Sequence, residues 1–448
     1  MVDLSAGVCF NPPMTSLLNR RRFLAHTSST VAGVFLAAPY LMRAQSKLAA
    51  NERLNIGFVG TGGQAGYSID SLKDHNIVAL CDVDESRLNV AGQKFPGATK
   101  HRDFRRLIEQ QGIDAIVVAT PDHTHAVASV AALQSGRHLY CEKPLTRTVS
   151  EARIVTETAR RLKRVTQIGT QIHAGGNYRR VVELVKSDAV GEINEVHVWV
   201  NSSYGGKDEP KTALEIPKDL DWDLWLGPVP KQEYSPDFVP FGWRNWWAFG
   251  GGSLADFGCH FIDLPFWALD LHHSVSIEAE GPPVSTMATP TWLKVRYEFP
   301  ERIHHGRRWP ALKLTWYHGG KHPDLLTPEQ YEKWKSGVLF VGSKGQLIAD
   351  YGRHALWPEK DFEGFLKPRP FLQDSIGHHK EWVEAIKLGG TTTCRFDYSG
   401  PLTETALLGN VAYRVGKKLE WDFEKLRATN CAEADQFIQH QYREGWKI

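Results

Sequence analysis

The stretch Leu54-Asn55-Ile56-Gly57-Phe58-Val59-Gly60-Thr61-Gly62-Gly63-Gln64-Ala65-Gly66 decides the fold of this 448-residue chain. A short apolar run is followed by Gly60, Gly62 and Ala65 in the spacing G-x-G-x-x-A, and then by a helical period. Small residues at this spacing let the backbone approach a pyrophosphate, and the N-terminus of the next helix supplies donors. We therefore predict that Gly60, Gly62, Gly63, Gln64 and Ala65 contact a dinucleotide. A tight strand–helix turn without a ligand would show the same local pattern.

Asp82 ends the second apolar run, 22 residues after Gly60 (82 − 60). A carboxylate at this place accepts hydrogen bonds from a ribose diol and disfavours a 2′-phosphate. We therefore expect NAD as the cofactor. Arg87 lies close enough in sequence to leave NADP open.

Short apolar runs and helical stretches alternate downstream of the glycine loop. This alternation is typical of a parallel sheet with right-handed crossovers. It predicts an α/β fold with a doubly wound Rossmann domain over 52–172. The predicted strands are 54–59, 77–81, 115–119, 138–140 and 166–168, and the predicted helices are 64–74, 85–94, 104–110, 125–135 and 150–162.

The character of the sequence changes after residue 172. We predict a second α/β domain over 173–448, with a large, open, mostly antiparallel sheet. Residues 181–186 indicate a helix, and 201–250, rich in Trp, Pro and Gly, indicate loops. The predicted strands are 193–200, 275–280, 291–299, 312–317, 337–341 and 346–350, with a hairpin turn at Gly342-Ser343-Lys344-Gly345. The tryptophans near 222–247 are either core residues or faces for stacking on a sugar.

Thr120-Pro121-Asp122-His123-Thr124-His125 follows the third predicted strand of the Rossmann domain. In a doubly wound sheet this loop lies at the carboxyl edge, where ligands bind. We expect Thr120, Pro121 and His125 to contact the cofactor, with the two histidines either capping the next helix or lining the nicotinamide pocket. No third ligand accompanies the H-x-H spacing, and none of the six cysteines forms C-x-x-C, so we expect no metal.

Lys143 stands in Cys141-Glu142-Lys143-Pro144, directly after a strand. Pro144 favours an extended conformation at Lys143, which limits the directions of its side chain. Alone, this lysine would be interpreted as a surface residue in a turn. Together with the glycine loop, it predicts a cation where the reactive ring of the dinucleotide lies.

A second group of polar residues follows the glycines at 250–252. If the stretch is helical, Asp256, His260 and Asp263 share one face at i, i+4 and i+7. Pro265 should kink or end this helix. An isolated histidine is usually a core residue, but three titratable groups in an apolar helix behind a glycine hinge favour a catalytic role for His260.

The formal net charge is only +2, which gives no field for binding nucleic acid. Residues 1–48 contain Asn19-Arg20-Arg21-Arg22-Phe23-Leu24, which matches the twin-arginine pattern, followed by a modest apolar stretch too polar for a membrane span. We expect a signal for export through the twin-arginine route to the periplasm, with no stable membrane span after export. A disordered basic N-terminus would instead leave the protein cytoplasmic.

These motifs resemble those of the Gfo/Idh/MocA oxidoreductases, over about residues 54–269. The most specific blocks are Ala119–His125, Glu142-Lys143-Pro144 and Gly251–His260. The resemblance implies an N-terminal Rossmann domain, a C-terminal sheet that often forms a homo-oligomer interface, and Glu142 and Lys143 at the cofactor. It also implies that Lys143 and His260 flank the substrate carbon, with Asp256 beside them. Tyr178, Arg244 and Asp263 are candidates for substrate contacts.

The expected activity is hydride transfer between a secondary alcohol of a sugar or cyclitol and nicotinamide. In this mechanism His260 takes the hydroxyl proton and Lys143 stabilises alkoxide character. One alternative is an NAD-dependent glycoside hydrolase that acts by oxidation and elimination. Another is a dinucleotide-binding sensor without turnover.

Overall fold

The computed structural model describes residues 52–207, 209–212, 214–304 and 306–448. Six parallel strands form the first sheet, in the order β3-β2-β1-β4-β5-β6. The apolar runs become central strands because both faces are covered, and all four residues of β4 are buried. The strands are β1 Asn55–Val59, β2 Asn76–Cys81, β3 Thr99–His101, β4 Ala115–Val118, β5 His138–Cys141 and β6 Thr166–Ile168.

Helices connect these strands close to the predicted positions. Their starts carry local signals: the Asp84 side chain accepts from the backbone N–H of Arg87, and Thr148 and Glu151 form a capping box. The fourth helix begins at Asp122, three residues before the prediction, so His123 and His125 lie in its first turn and do not cap it. The helices are α1 Ala65–Leu72, α2 Glu85–Lys94, α3 Phe104–Glu109, α4 Asp122–Gln134 and α5 Val149–Leu162.

A nine-stranded sheet dominates the second half, in the order β15-β14-β13-β7-β12-β9-β8-β16-β17. Its neighbours pair antiparallel, except that β7 and β12 pair in parallel. The predicted hairpin forms where Gly342 pairs with Gly345. The strands are β7 Ile193–Val200, β8 Ser276–Glu280, β9 Leu293–Phe299, β12 Leu312–His318, β13 Gly337–Gly342, β14 Gly345–Ala349, β15 His354–Trp357, β16 Leu419–Asp422 and β17 Arg427–Ala428, with β10 Arg302–His304 and β11 Arg307–Trp309 as a separate pair.

Helices of the second half include α6 Gly176–Lys186, α7 Trp222–Leu226, α8 Gly252–Phe261, α9 Asp263–Ala268, α10 Pro328–Lys333, α11 His378–Leu388, α12 Phe396–Val415 and α13 Asp435–Ile438. The stretch 201–250, predicted as loops, contains α7 and a 3₁₀ turn over Gly242–Asn245. Its tryptophans at 222, 225, 243 and 246 are buried with Phe238 and Phe249 in an aromatic core, so they hold this segment together.

Residues from two segments near the C-terminal end of the sequence complete the core of the first sheet. Trp382 and Val383 of α11 pack with strand residues such as Phe58, and Cys394 and Phe396 pack with Val118. His379 of α11 also hydrogen-bonds Ser68 of α1, with 2.9 Å between Nε2 and Oγ. The Rossmann sheet is therefore covered partly by residues far from it in sequence. Among the described residues, no helix has the length and apolarity needed to cross a membrane, and the predicted signal at 1–48 lies outside them.

Candidate active site

The glycine loop leaves β1 at the carboxyl edge of the sheet. Gly60 has φ of +91°, and a Cβ there would lie 2.5 Å from the carbonyl oxygen of Ala119, so only glycine fits. Gly63 also has positive φ, with open space around it. Helix α1 begins at Ala65, and the exposed Gln64 before it provides no side-chain cap. The loop and the uncapped helix start form a cradle suited to a pyrophosphate.

A cavity of about 380 Å³ opens beside this loop. Its lining includes Gly60, Gly62, Asp82, Thr120 and Pro121, all predicted cofactor contacts, and Trp225 and Trp446 also line it. These residues fit the adenosine half of a dinucleotide, with small residues at the phosphates, an acid for the ribose and aromatic walls for the base.

Asp82 is held at the end of β2 by three donors. Its Oδ2 accepts from the backbone N–H and the hydroxyl of Thr61 at 2.9 and 3.0 Å, and its Oδ1 accepts from the N–H of Asp84 at 3.0 Å. Burial raises the pKa of Asp82, against these hydrogen bonds and the charge of Arg87. Arg87 lies over Gly62, where an added Cβ would be 2.7 Å from its Cδ. The fixed carboxylate of Asp82 favours the free ribose diol of NAD. The nearby guanidinium of Arg87 would pair with the 2′-phosphate of NADP.

Lys143 and Asp256, 113 residues apart, form the centre of the site. Lys143 Nζ donates to Asp256 Oδ1 at 2.6 Å and to the Asp256 carbonyl oxygen at 2.9 Å. Arg244 Nε donates to the same Oδ1 at 3.2 Å. Burial would raise the pKa of Asp256, but Lys143 and then Arg244 hold it well below its usual range. The carboxylate is therefore a charged anchor that fixes the direction of both cations.

His260 follows Asp256 by one helical turn on α8. Burial, and then the charge of Lys143, lower the pKa of His260 to about 3, against the charge of Asp256. Among the described residues, none forms a hydrogen bond to its ring, and Nδ1 is buried. The imidazole is therefore neutral near pH 7, and its ring has no competing hydrogen bond within the described part of the chain, so it is free to contact a substrate hydroxyl.

Asp122, at the start of α4, is a group that the sequence analysis did not assign to the site. Burial raises the pKa of Asp122 well above its usual range, against Arg244, while Asp256 raises it further. Its charge interactions with Arg244, Asp256 and Lys143 place it in the same cluster. Its place within Thr120–His125, the stretch predicted at the carboxyl edge of the sheet, was the available signal.

Aromatic rings lie next to the cluster. The Cζ of Arg244 is 4.5 Å from the ring centre of Phe241 and 4.0 Å from that of Trp243. Tyr204 packs edge-on against Phe241, with ring centres 6.1 Å apart. The ring of Tyr351 lies 6.2 Å from that of His260. Phe241 and Tyr351 are 57% and 39% exposed, so apolar faces are open to a substrate beside the charged centre.

Other predicted site residues lie deeper in the protein. His125 is buried, and its two ring nitrogens lie 2.7 Å from the carbonyl oxygen of Pro144 and 2.8 Å from that of Thr120, so the ring contacts both the Lys143 turn and the neighbouring loop. Glu142 is buried and its Oε1 accepts from Gln171 Nε2 at 3.0 Å. Burial raises the pKa of Glu142 to about 7, against the charge of Lys143.

Two of the three candidate substrate contacts have no exposed surface. The Tyr178 hydroxyl donates to the carbonyl oxygen of His260 at 3.1 Å. Asp263 is in α9, separate from the helix of Asp256 and His260, and not on one continuous face with them as predicted. Its carboxylate accepts from Tyr398 at 2.6 Å and lies 2.9 Å from His173 Nδ1. Only Arg244 is brought to the charged centre.

His173, Asp263 and Cys394 bring one potential metal-ligand atom each within 4.8 Å of one another. All three are buried, and the first two already hydrogen-bond to each other. The ring of His173 is also stacked on Trp267, with centres 4.1 Å apart. The contacts of this cluster hold α9 against Tyr398 and the 3₁₀ turn over Gln171–Ala174.

Two domain models match this chain. The first, described as oxidoreductase family, NAD-binding Rossmann fold, covers residues 54–170, and the second, oxidoreductase family, C-terminal alpha/beta domain, covers 180–304. The chain belongs to the Gfo/Idh/MocA oxidoreductase family. An NAD-binding Rossmann domain and a second α/β domain, as predicted, are thereby confirmed.

Individual relatives agree with this family. The chain is 33% identical over 146 residues to inositol 2-dehydrogenase of Rubrobacter xylanophilus, covering 32% of this chain and 42% of the relative. It is 26% identical over 202 residues to a glycosyl hydrolase family 109 protein of Shewanella pealeana, covering 39% and 44%. The chain thus spans less than half the length of these two curated relatives.

The fold also matches that of the WlbA dehydrogenase from Bordetella pertussis, solved with NADH and UDP-GlcNAcA. The TM-score is 0.57 at 17% identity, over 83% of this chain and 99% of that one.

Proposed function

We propose that this protein is an NAD-dependent oxidoreductase that acts on a secondary alcohol of a sugar or cyclitol. The observation that carries the proposal is the convergence of Lys143, Asp256 and neutral His260 at the edge of the sheet that also holds the glycine loop. The curated relatives named as an inositol dehydrogenase and a glycosyl hydrolase support a polyhydroxylated substrate. The open rings of Phe241 and Tyr351 provide apolar faces for the C–H surfaces of such a molecule.

Each residue of the charged centre has a separate role in this reaction. His260 accepts the hydroxyl proton of the substrate at a ring nitrogen. Lys143, oriented by Asp256, places its ammonium group near the oxygen that gains negative charge. Arg244 shares Asp256 and positions a neighbouring hydroxyl. When bound, the nicotinamide supplies the hydride acceptor or donor.

Two variants test these roles on the full chain. Lys143→Met should lower kcat by roughly 10²–10³-fold, and His260→Ala by roughly 10²–10⁴-fold, while both still bind NAD in calorimetry. Lys344→Met, on the exposed hairpin turn, is the matched control and should leave turnover unchanged. Substrates are found by following nicotinamide absorbance across a panel of polyols and glycosides. Unchanged turnover in both site variants would refute the mechanism.

A second function is favoured by the match to the glycosyl hydrolase family 109 protein. In that reaction, oxidation at C3 acidifies the C2 proton, elimination expels the aglycone, and water and hydride return. The same charged centre would serve both reactions. Glycoside cleavage without accumulation of NADH, together with solvent deuterium at C2, would identify the hydrolase. NADH accumulation without deuterium uptake would identify the dehydrogenase.

We also propose export through the twin-arginine route, on the basis of Arg20-Arg21-Arg22-Phe23-Leu24. Periplasmic fractionation with and without Arg21→Lys tests it, and equal amounts in the periplasm would contradict it. We further propose a homo-oligomer through the nine-stranded sheet, which light scattering in solution tests by mass.

A further inference from the structure

The wall of the dinucleotide cavity is built from both halves of the chain. The Rossmann domain contributes residues such as Asp82 and Phe104, and the second domain contributes Leu220, Trp225 and Trp446. Trp446 belongs to residues 440–448, which follow α13 and contain no helix or strand. Two segments distant in sequence, 217–225 and 440–448, therefore close the adenosine end of the cavity.

Segment 217–225 is joined to the Rossmann domain through its backbone. The N–H of Glu85 donates to the carbonyl oxygen of Asp219 at 2.8 Å, and the N–H of Asp221 donates to that of Val83 at 3.0 Å. These bonds are made to the turn that directly follows β2, the strand that presents the acid for the ribose. Paired main-chain hydrogen bonds make this segment the fixed part of the wall.

Segment 440–448 is attached differently. Among the described residues, its backbone makes one hydrogen bond to another part of the chain, from the N–H of Arg443 to the carbonyl oxygen of Pro228 at 3.1 Å, and none to the Rossmann domain. Side chains make the contacts with that domain: the Tyr442 hydroxyl donates to Glu151 at 2.6 Å, Trp446 packs against Phe104 and Arg105, and Ile448 packs against the core. A segment with so few backbone hydrogen bonds opens at low cost in free energy, so it is the part of the wall that can move.

Arg443 holds this segment on the turn that ends α7. Its Nε donates to the carbonyl oxygen of Gly227 at 2.6 Å, its Nη1 to Asp223 Oδ1 at 2.7 Å, and its Nη2 to the carbonyl oxygen of Asp223 at 2.6 Å. The hydrogen bond from Arg443 lowers the pKa of Asp223, so this carboxylate is charged at neutral pH. The N–H of Trp446 donates to the carbonyl oxygen of Arg443 at 3.2 Å. The position of the Trp446 ring at the cavity therefore depends on a charge-assisted contact three residues earlier.

We propose that segment 440–448 is a latch on the cofactor, which opens to let the dinucleotide enter or leave and closes when Arg443 binds the turn after α7. The inference rests on dinucleotide binding at the glycine loop, and not on the identity of the alcohol substrate. Arg443 is a positioning residue, because it acts on the cavity through Trp446. Since release must wait for the latch to open, exchange of the bound cofactor is slow.

The rate constants of NADH binding test the latch without any substrate. Dissociation from the full chain is followed by fluorescence after bound NADH is chased with excess NAD, and association by rapid mixing. Arg443→Met should raise both rate constants, and dissociation by about tenfold or more, the effect of losing one hydrogen bond to a charged group. A wall residue that merely touches the cofactor would change dissociation alone. Arg308→Met, at an exposed arginine paired with Glu301, is the matched control and should leave both rate constants unchanged.

Asp223→Asn tests the same contact from its other side. The Asp223 side chain is 61% exposed, so this variant is expected to fold even where Arg443→Met does not. It should also raise both rate constants, and the double variant should add little to either single effect. Unchanged rate constants in Asp223→Asn, or faster dissociation with unchanged association, would overturn the latch. A wild type that binds no NADH would overturn the dinucleotide site and the latch together. Failure to oxidise any sugar or cyclitol would count against the proposed function only, because these rates are measured without substrate.

Discussion

Asp256 is the single acceptor that holds two cations of the site, so replacing it with asparagine perturbs the whole centre. The side chains of Lys143 and Asp256 are only 14% and 9% exposed, and Arg244 is 19% exposed. Asp256→Asn keeps the shape of the side chain but removes its negative charge. The positive charges of Lys143 and Arg244 then repel each other in a site that is largely buried. Breaking a buried pair by removing one partner costs about 3–5 kcal/mol, and we expect a loss of unfolding free energy in this range.

The partner variant should behave differently. Lys143→Met leaves Asp256 paired with Arg244 at 3.2 Å, so we expect a smaller loss, about 1–3 kcal/mol. In the double variant Lys143→Met/Asp256→Asn, the remaining cation has no close like charge to oppose it. The double variant should therefore be more stable than the sum of the single effects predicts, by about 2 kcal/mol.

Urea denaturation measures these values. Coincident transitions by tryptophan fluorescence and circular dichroism would justify a two-state treatment. Glu301→Gln, which breaks an exposed ion pair with Arg308, is the control and should leave the transition unchanged. Strictly additive effects of the two site substitutions, or a more stable Asp256→Asn, would refute the view that Asp256 anchors the cations.

The remaining predictions address pH, cofactor and substrate. Burial lowers the pKa of His123 to about 3 in the folded protein, whereas the pKa of a histidine in the unfolded chain is about 6.5. Between these two pH values His123 is protonated only in the unfolded chain. The free energy of unfolding should therefore fall as the pH drops below 6.5, by about 2 kcal/mol per such histidine at pH 5. His123→Asn should reduce the difference in unfolding free energy between pH 7 and pH 5 by that amount, and an unchanged difference would contradict the assignment. Trp446→Ala should weaken NAD binding by about tenfold in calorimetry, because Trp446 lines the adenosine end of the cavity; equal affinity would show that its ring does not touch the base. Phe241→Ala should raise KM for the sugar about five- to tenfold with kcat retained, and a loss confined to kcat would instead indicate a role in orienting Arg244.

Local sequence determines most of the first sheet. Strand β4 was predictable because Ala115–Val118 is a continuous apolar run between turn signals, and the glycine loop marks the end of β1 unambiguously. Strand β3 was missed because Thr99–His101 is three residues long and polar, and lies at the sheet edge. Its position depends on pairing with β2, which no local pattern encodes.

The site was predictable only where local sequence motifs mark its residues. The motifs identified Lys143 and Asp256 separately, but their hydrogen bond depends on how α8 meets the end of β5. Asp263 shares an apparent helical face with Asp256, yet α8 ends at Phe261 and the carboxylate turns to His173. The aromatic border at Tyr351 carries no sequence signal, because its neighbour His260 is 91 residues earlier (351 − 260) and is reached only through the fold.

The packing of α11 against the first sheet has a consequence for how the protein is made. Residues 54–170 leave the ribosome long before residues 382–396 are synthesised. Trp382 and Phe396 pack against the two faces of the first sheet. The segment that binds the dinucleotide cannot reach its final packing during its own synthesis and must await nearly the entire chain. Fragments cut after the family's Rossmann segment should therefore aggregate, whereas co-expressing 54–170 with the remainder should restore a soluble pair.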